Sequence, residues 1–383
     1  MATLPCMSVA AVSPTRPDRF RTFALAALLA AFTFRAKDVL SVLSDQPAGA
    51  DYSAFWAGTK ALDDPARLYD FAYVTALQGW PFGHDHFRPF LYPPSALFAF
   101  LPTAALPYWV GYVVWCVATY ALFAWAGRRM GAPWWMILFP VVWLVALCGQ
   151  ITFLVGGLVA AALTLRHRPI LAGVLLGVAA ALKPQLLVFA PLGLIAAREW
   201  KTLLAAGVTG LAACLASAVI WGVDPWIAWL AALPRFHTEV LLKEPVLLAH
   251  SIAPAALFNR AGLSWMWTLL LAPFAVALVW TTFRRTTYAP DRLVAVFAAA
   301  LMISAYAMHY EACLFAPAIA AYLARTEDRL WPFYASIAVL FTMGLVYCPA
   351  PLAMALLLPA SSWLRLDGEG ARAWRPGGLT VAH

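Results

Sequence analysis

Apolar runs follow one another along most of this chain, and short basic clusters separate alternate runs. The clusters are Arg128-Arg129, Arg166-His167-Arg168, Arg198 to Lys201, Arg284-Arg285 and Arg325 to Arg329. A backbone placed in hydrocarbon has no water to bond to, so such runs must satisfy their own N–H and C=O groups as helices. Basic residues between runs gather on the cytoplasmic side of a membrane. Placing every cluster on that side predicts an all-α polytopic membrane protein, with about twelve crossings and both termini inside.

Composition excludes the main alternatives. Of 383 residues, 63% are hydrophobic and 11% charged, too little polar surface for a soluble protein of this length. The 18 Trp and 13 Tyr suit aromatic belts at the two interfaces. A formal charge of +8 raises the question of nucleic acid, but the basic residues are scattered between spans, so no nucleic-acid partner is expected. The six Cys show neither a disulfide framework nor metal-type spacing.

In order, residues 1–21 read as a disordered cytoplasmic tail, 22–364 as a single integral membrane domain and 365–383 as a second cytoplasmic tail. The first span runs through 22–43, with Arg35 and Lys37 near its outer end. Residues 44–90 form a long first extracytoplasmic loop, and 222–251 a second polar outer loop. Asp64-Pro65 has the pattern of an N-cap followed by proline at the first helical position. The run opening at Tyr92-Pro93-Pro94 stops at Pro102, too short to cross, and reads as a re-entrant or interfacial helix. Several later spans hold only about thirteen apolar residues, which is tolerated when their ends face a polar cavity.

The outer ends of these runs carry Gln150, Lys183, Gln185 and His309, on the same predicted side as Asp51. Ionisable groups at membrane depth are costly and mark functional sites. Each residue also has a plainer reading. Asp51 can cap a helix, Lys183 can snorkel, His309 can be a structural histidine, Gln150 can bridge helices and Tyr92 can belong to a belt. In a helix starting near Asp51, Tyr52 and Trp56 share one face while Phe55 sits beside Asp51 on the other. His84-Asp85-His86 lacks the further spaced ligand that a metal site needs, so no metal is expected there.

One order of motifs is more telling than its parts. Asp51-Tyr52-x-x-Phe55-Trp56-x-Gly58 is followed by Leu68-Tyr69, Tyr92-Pro93-Pro94, Gly149-Gln150 and Gly173-x-x-x-Gly177, then Leu182-Lys183-Pro184-Gln185. This order resembles glycosyltransferase family 87, a family of GT-C membrane glycosyltransferases. The resemblance is closest from about residue 50 to 200; beyond that it rests on architecture and on His309 after an outward span.

The resemblance implies transfer of a sugar, mannose in the usual case, from a polyprenyl-phosphate donor to an extracytoplasmic glycan or glycolipid at the inner membrane. It implies Asp51 as the catalytic base. Lys183, His309, Arg88, Tyr92, Gln150, Gln185, Trp56 and Tyr310 are the expected donor-phosphate and substrate contacts. No cofactor is expected, and the partners are the lipid-linked donor, the acceptor and the bilayer. The competing reading is a polytopic transporter or lipid-linked-sugar flippase without transferase activity, which the lack of a clear internal repeat counts against. An oligosaccharide polymerase or ligase is a further enzymatic alternative.

Overall fold

A computed structural model of the chain describes residues 48–78, 88–243, 247–248 and 250–324. The expected first span, His84-Asp85-His86, the Arg325 to Arg329 cluster, the last two spans and both tails lie outside them. The described residues are all-helical apart from one isolated antiparallel bridge between Ser251 and Met308.

The first outer segment begins with α1, Ala50–Lys60. Two short 3₁₀ turns, Ala61–Asp63 and Pro65–Arg67, lead to α2, Phe71–Leu77. Asp64-Pro65 does start the second turn with proline at its first position, but the Asp64 side chain makes no capping bond. Asp70 caps α2 instead, accepting from the Tyr73 N–H. A 3₁₀ turn at Pro94–Ala96 opens α3, Leu97–Ala104. The long helix α4, Tyr108–Met130, ends in Arg128 and Arg129 and is closed by Gly131.

Next come α5, Pro140–Cys148, α6, Thr152–Thr164, and α7, Pro169–Leu182. The chain breaks at Lys183 and resumes as two short helices, α8, Pro184–Leu187, and α9, Ala190–Ala196. Helix α10, Trp200–Trp221, is followed by α11, Asp224–Arg235, and a π turn, Phe236–Leu241. The second outer loop therefore contains helix. Asp224 in the first turn, Pro225 and an apolar face at helical spacing give the segment ordinary helix chemistry that its polar ends obscure. After α12, Ala255–Arg260, come a 3₁₀ stretch, Trp265–Leu271, and α13, Ala272–Arg285. The last elements are α14, Ala289–Met302, a 3₁₀ stretch, His309–Phe315, and α15, Ala316–Ala324.

Among the described residues, three helices are long and apolar enough to cross a membrane: Tyr108–Met130, Trp200–Trp221 and Trp265–Arg285. Other expected crossings are shorter apolar helices, such as Thr152–Thr164 and Pro169–Leu182. Pro140, Pro169 and Pro184 each open a helix and Gly149 closes α5, so these residues set the boundaries of the short helices.

Packing separates lipid-like faces from a dry centre. On α10, Leu204, Val208, Leu211, Leu215 and Val219 are exposed at helical spacing, whereas in α14 every residue from Pro290 to Met302 is buried. Helix α14 packs against α6, α8, α13 and α15. Helices α7 and α10 meet through Gly173 and Gly177. A Cβ there would come within 2.5 Å of the Thr202 and Ala206 carbonyl oxygens, so only glycine allows this approach.

Buried charge holds the far end of this bundle. Arg292, at the start of α14, donates to Glu199 at 2.7 Å and to the carbonyls of Thr286 and Phe283. Arg166 lies 3.9 Å from the same Glu199. The C-terminal end of α6, the start of α10 and the start of α14 are thereby gathered at one end. The start of α6, the end of α7 and the segment after α14 lie at the other, roughly 20 Å away along these helices.

Candidate active site

The site forms where α1 meets the end of α5. Gly149 closes α5 at φ +71 and Gly49 opens α1 at φ +82, both in the left-handed region that favours glycine. The Gly49 N–H donates to the Leu147 carbonyl at 2.7 Å, and the Tyr108 hydroxyl donates to the Gly49 carbonyl at 2.8 Å. Trp115 donates to the Gly149 carbonyl at 3.0 Å. These bonds set Asp51, in the first turn of α1, beside Gln150, the residue after Gly149.

Asp51 does not cap the helix. Gly49 is the N-cap, with no side-chain capping bond, and the Asp51 carboxylate turns outward to other partners. Oδ2 accepts from Gln150 Nε2 at 2.8 Å. Oδ1 lies 3.4 Å from Arg88 Nε. Gln150 Oε1 in turn accepts from the Tyr92 hydroxyl at 3.0 Å and the Ile151 N–H at 3.3 Å. With its oxygen held by two donors, the amide must present its nitrogen to Asp51.

The loop that carries Arg88 and Tyr92 is tied down at several points. Gln78 donates to the Arg88 carbonyl, Trp229 to the Leu91 carbonyl at 3.0 Å and Tyr69 to the Tyr92 carbonyl at 2.6 Å. Ser95 donates to the Ala181 carbonyl at 2.6 Å, which fixes the same loop to the end of α7. Beneath it lies an aromatic layer. Phe55 stacks on Phe100 with centroids 4.2 Å apart and meets Tyr92 edge-on at 5.1 Å. Each such pair contributes about 0.5–1.5 kcal/mol beyond its buried area.

Lys183 stands in the break between α7 and α8, its backbone at φ −148 and ψ 73 outside the helical region that the following proline disfavours. Its Nζ lies 5.7 Å from the Tyr92 ring centre and 6.0 Å from that of Tyr310. It pairs with Glu311 Oε1. The polar groups thus form a chain from Arg88 through Asp51, Gln150 and Tyr92 to Lys183 and Glu311. Its outer end is wetter: the Arg88 and Asp51 side chains are 29% and 18% exposed, against 5% for each of Lys183 and Glu311.

The expected site residues divide accordingly. Asp51, Arg88, Gln150, Tyr92, Lys183 and Tyr310 come together. His309 neighbours Tyr310 at 5.8 Å, but its ring also stands 4.9 Å from His250, and its N–H donates to the His250 carbonyl. Gln185 is exposed, two residues past the break, and stands apart from this group. Trp56 packs edge-on against Tyr108 on the Tyr52 face of α1, away from the polar chain. Glu311 was not anticipated as a site residue. Its signal lay in Lys183, since a buried ammonium needs a counter-charge. Asp70, a further acid of this outer segment, is taken up as the cap of α2; the Tyr73 N–H, aided by Arg67, holds its carboxyl below the usual range.

The sequence profile of glycosyltransferase family 87 matches residues 90–317 of the chain. The chain is 30% identical, over 249 residues, to the polyprenol-phosphate-mannose-dependent alpha-(1-2)-phosphatidylinositol pentamannoside mannosyltransferase of Mycolicibacterium smegmatis. That alignment covers 60% of this chain and 55% of the relative, so the chain spans about half the length of the curated relative it matches. No solved structure matches it. The profile match covers more than half of the chain, including Tyr92, Gln150, Lys183 and Glu311. Together with three helices long enough to cross a bilayer, it makes this a membrane protein that belongs to glycosyltransferase family 87.

Proposed function

We propose that the protein is a membrane hexosyltransferase that moves mannose from a polyprenyl-phosphate donor to an extracytoplasmic glycan or glycolipid acceptor. The observation that carries this reading is the continuous polar chain from Asp51 to Glu311, set at the ends of apolar helices. It pairs a solvent-reachable carboxylate with cationic side chains. The polyprenol-phosphate-mannose dependence of the Mycolicibacterium relative supports the donor class. In this reading the site faces out of the inner membrane, within a bundle of about twelve crossings.

In the reaction, Asp51 takes the proton of the acceptor hydroxyl as its oxygen attacks the anomeric carbon. The bond from that carbon to the donor phosphate oxygen breaks, and polyprenyl phosphate leaves with the electron pair. One displacement inverts the anomeric centre. Gln150 holds the carboxylate toward the acceptor. Lys183, with Arg88 and His309 in support, meets the charge that grows on the leaving phosphate. The reading needs no metal, because cationic side chains meet that charge.

The test is turnover by the purified protein with polyprenyl-phosphate mannose, with the sugar and the lipid varied in turn. Transfer is expected to require the lipid phosphate. Asp51→Asn removes the proton-accepting carboxylate while keeping its shape, and should lower the rate roughly a hundred- to ten-thousand-fold. Because Asp51 makes no capping bond, the variant should unfold at the wild-type temperature. Near-normal transfer by this variant would remove Asp51 as the base, whereas no transfer by the wild-type protein would favour the transporter reading.

A further inference from the structure

Glu311 is buried, charged and outside the set of residues that the transfer step requires. It lies on the 3₁₀ stretch His309–Phe315, which the Ser251–Met308 bridge, the Ile252 N–H to Ala307 and the His309 N–H to His250 clamp in place. Its partner Lys183 is 128 residues earlier, on a different helix break, at an Nζ–Oε1 distance of 2.5 Å. Both side chains are 5% exposed. As a source of stability such a pair is poor, because the desolvation of two buried charges commonly offsets their attraction. Its position is more informative. It holds the ammonium against the rings of Tyr92 and Tyr310, one phenol away from Gln150 and Asp51.

We propose that Glu311 is a positioning residue for the lipid-phosphate site: it holds the Lys183 ammonium on the Tyr92 side, where an anionic phosphodiester docks. The inference rests on the transferase reading above. A lysine is a flexible point charge, and without a fixed counter-ion it has no reason to point at one place in a dry site. The incoming phosphate then shares Lys183 with Glu311. The carboxylate also prevents a site holding Arg88 and Lys183 from carrying two uncompensated positive charges, since Asp51 answers Arg88 and Glu311 answers Lys183.

The experiment measures equilibrium binding of polyprenyl-phosphate mannose, and of polyprenyl phosphate alone, to the full-length protein in lipid nanodiscs. Turnover and thermal unfolding are recorded alongside. Glu311→Gln should weaken both ligands at least about tenfold, as expected when one partner of a buried charge pair is removed. Lys183→Met should do the same, and the double variant should be no weaker than the poorer single one, because the two residues act as a unit. Glu311→Asp, one methylene shorter but still charged, should recover part of the loss. The KM for the acceptor should stay within about twofold of wild type, since Asp51 and Gln150 keep their own contacts.

Wild-type affinity in Glu311→Gln, or losses that add in the double variant, would overturn the proposal, even if the unfolding temperature fell. If Glu311→Gln does not fold, unweakened binding by Glu311→Asp together with full additivity of Glu311→Asp and Lys183→Arg would overturn it equally. Failure of the wild-type protein to bind either lipid would instead sink the transferase reading itself.

Discussion

Gln150 uses both ends of its amide inside the site, its oxygen for Tyr92 and Ile151 and its nitrogen for Asp51. Little is left for a sugar to bind, so its work is to orient the carboxylate. Gln150→Ala should therefore lower kcat by about tenfold or more while leaving donor affinity near wild type, which steady-state kinetics with varied donor would show. Asp70→Asn provides a matched control. Asn caps a helix about as well as Asp, so this variant should keep both stability and activity. Asp51 and Lys183 were recognisable in the sequence, because a lone acid among aromatic residues and a lysine ending an apolar run are both costly at membrane depth. Glu311 was harder to see: its neighbours His309 and Tyr310 drew the reading, and its partner lies 128 residues away. No pattern of spacing reports a contact of that separation.

Helix α1 owes its placement to two glycines as well as to its buried aromatic side chains. A Cβ at Gly149 would lie 2.6 Å from the Tyr52 Cβ, and the residue's φ of +71 is itself unfavourable for other residues. Gly149→Ala should cost about 1–2 kcal/mol from backbone strain alone. Relief of the clash would push α1 away from α5 and separate Asp51 from Gln150. Activity should thus fall further than the drop in unfolding temperature accounts for. Equal losses in the two would mean that the glycine serves folding only. Segment types were readable here where proline and glycine punctuate the chain, as at Pro93-Pro94 and Lys183-Pro184. The helix within 222–251 was not, because its charged ends resemble a loop and its apolar face appears only once the chain is wound at 3.6 residues per turn. The interruption of long runs into short helices was legible only as a shortage of apolar residues.

Two polar assemblies occupy opposite ends of the same helices. Gln150 precedes α6, Lys183 follows α7 and Glu311 follows α14, whereas Arg166 follows α6 and Arg292 opens α14, where Glu199 joins them. The alternation of basic clusters made this division readable from sequence, since charge at every second turn demands two sides. The number of crossings depends on segments beyond the described residues. The division makes the orientation testable. If the Arg166 end is cytoplasmic, Asp51 and its partners face outward, where a lipid-linked sugar is the available donor. Single cysteines should then react with a membrane-impermeant maleimide added to intact cells when placed at Lys243, an exposed position next to the π turn. They should not react at Arg128 or Arg168, which should label only after the membrane is opened. Of the six native cysteines, the four among the described residues are half-buried (Cys116, Cys148 and Cys214) or buried (Cys313), and the unsubstituted protein sets the background for all six. Labelling at Arg128→Cys from outside, with none at Lys243→Cys, would invert the bundle. It would put Asp51 on the nucleotide-sugar side and withdraw the polyprenyl-phosphate donor from the proposed reaction.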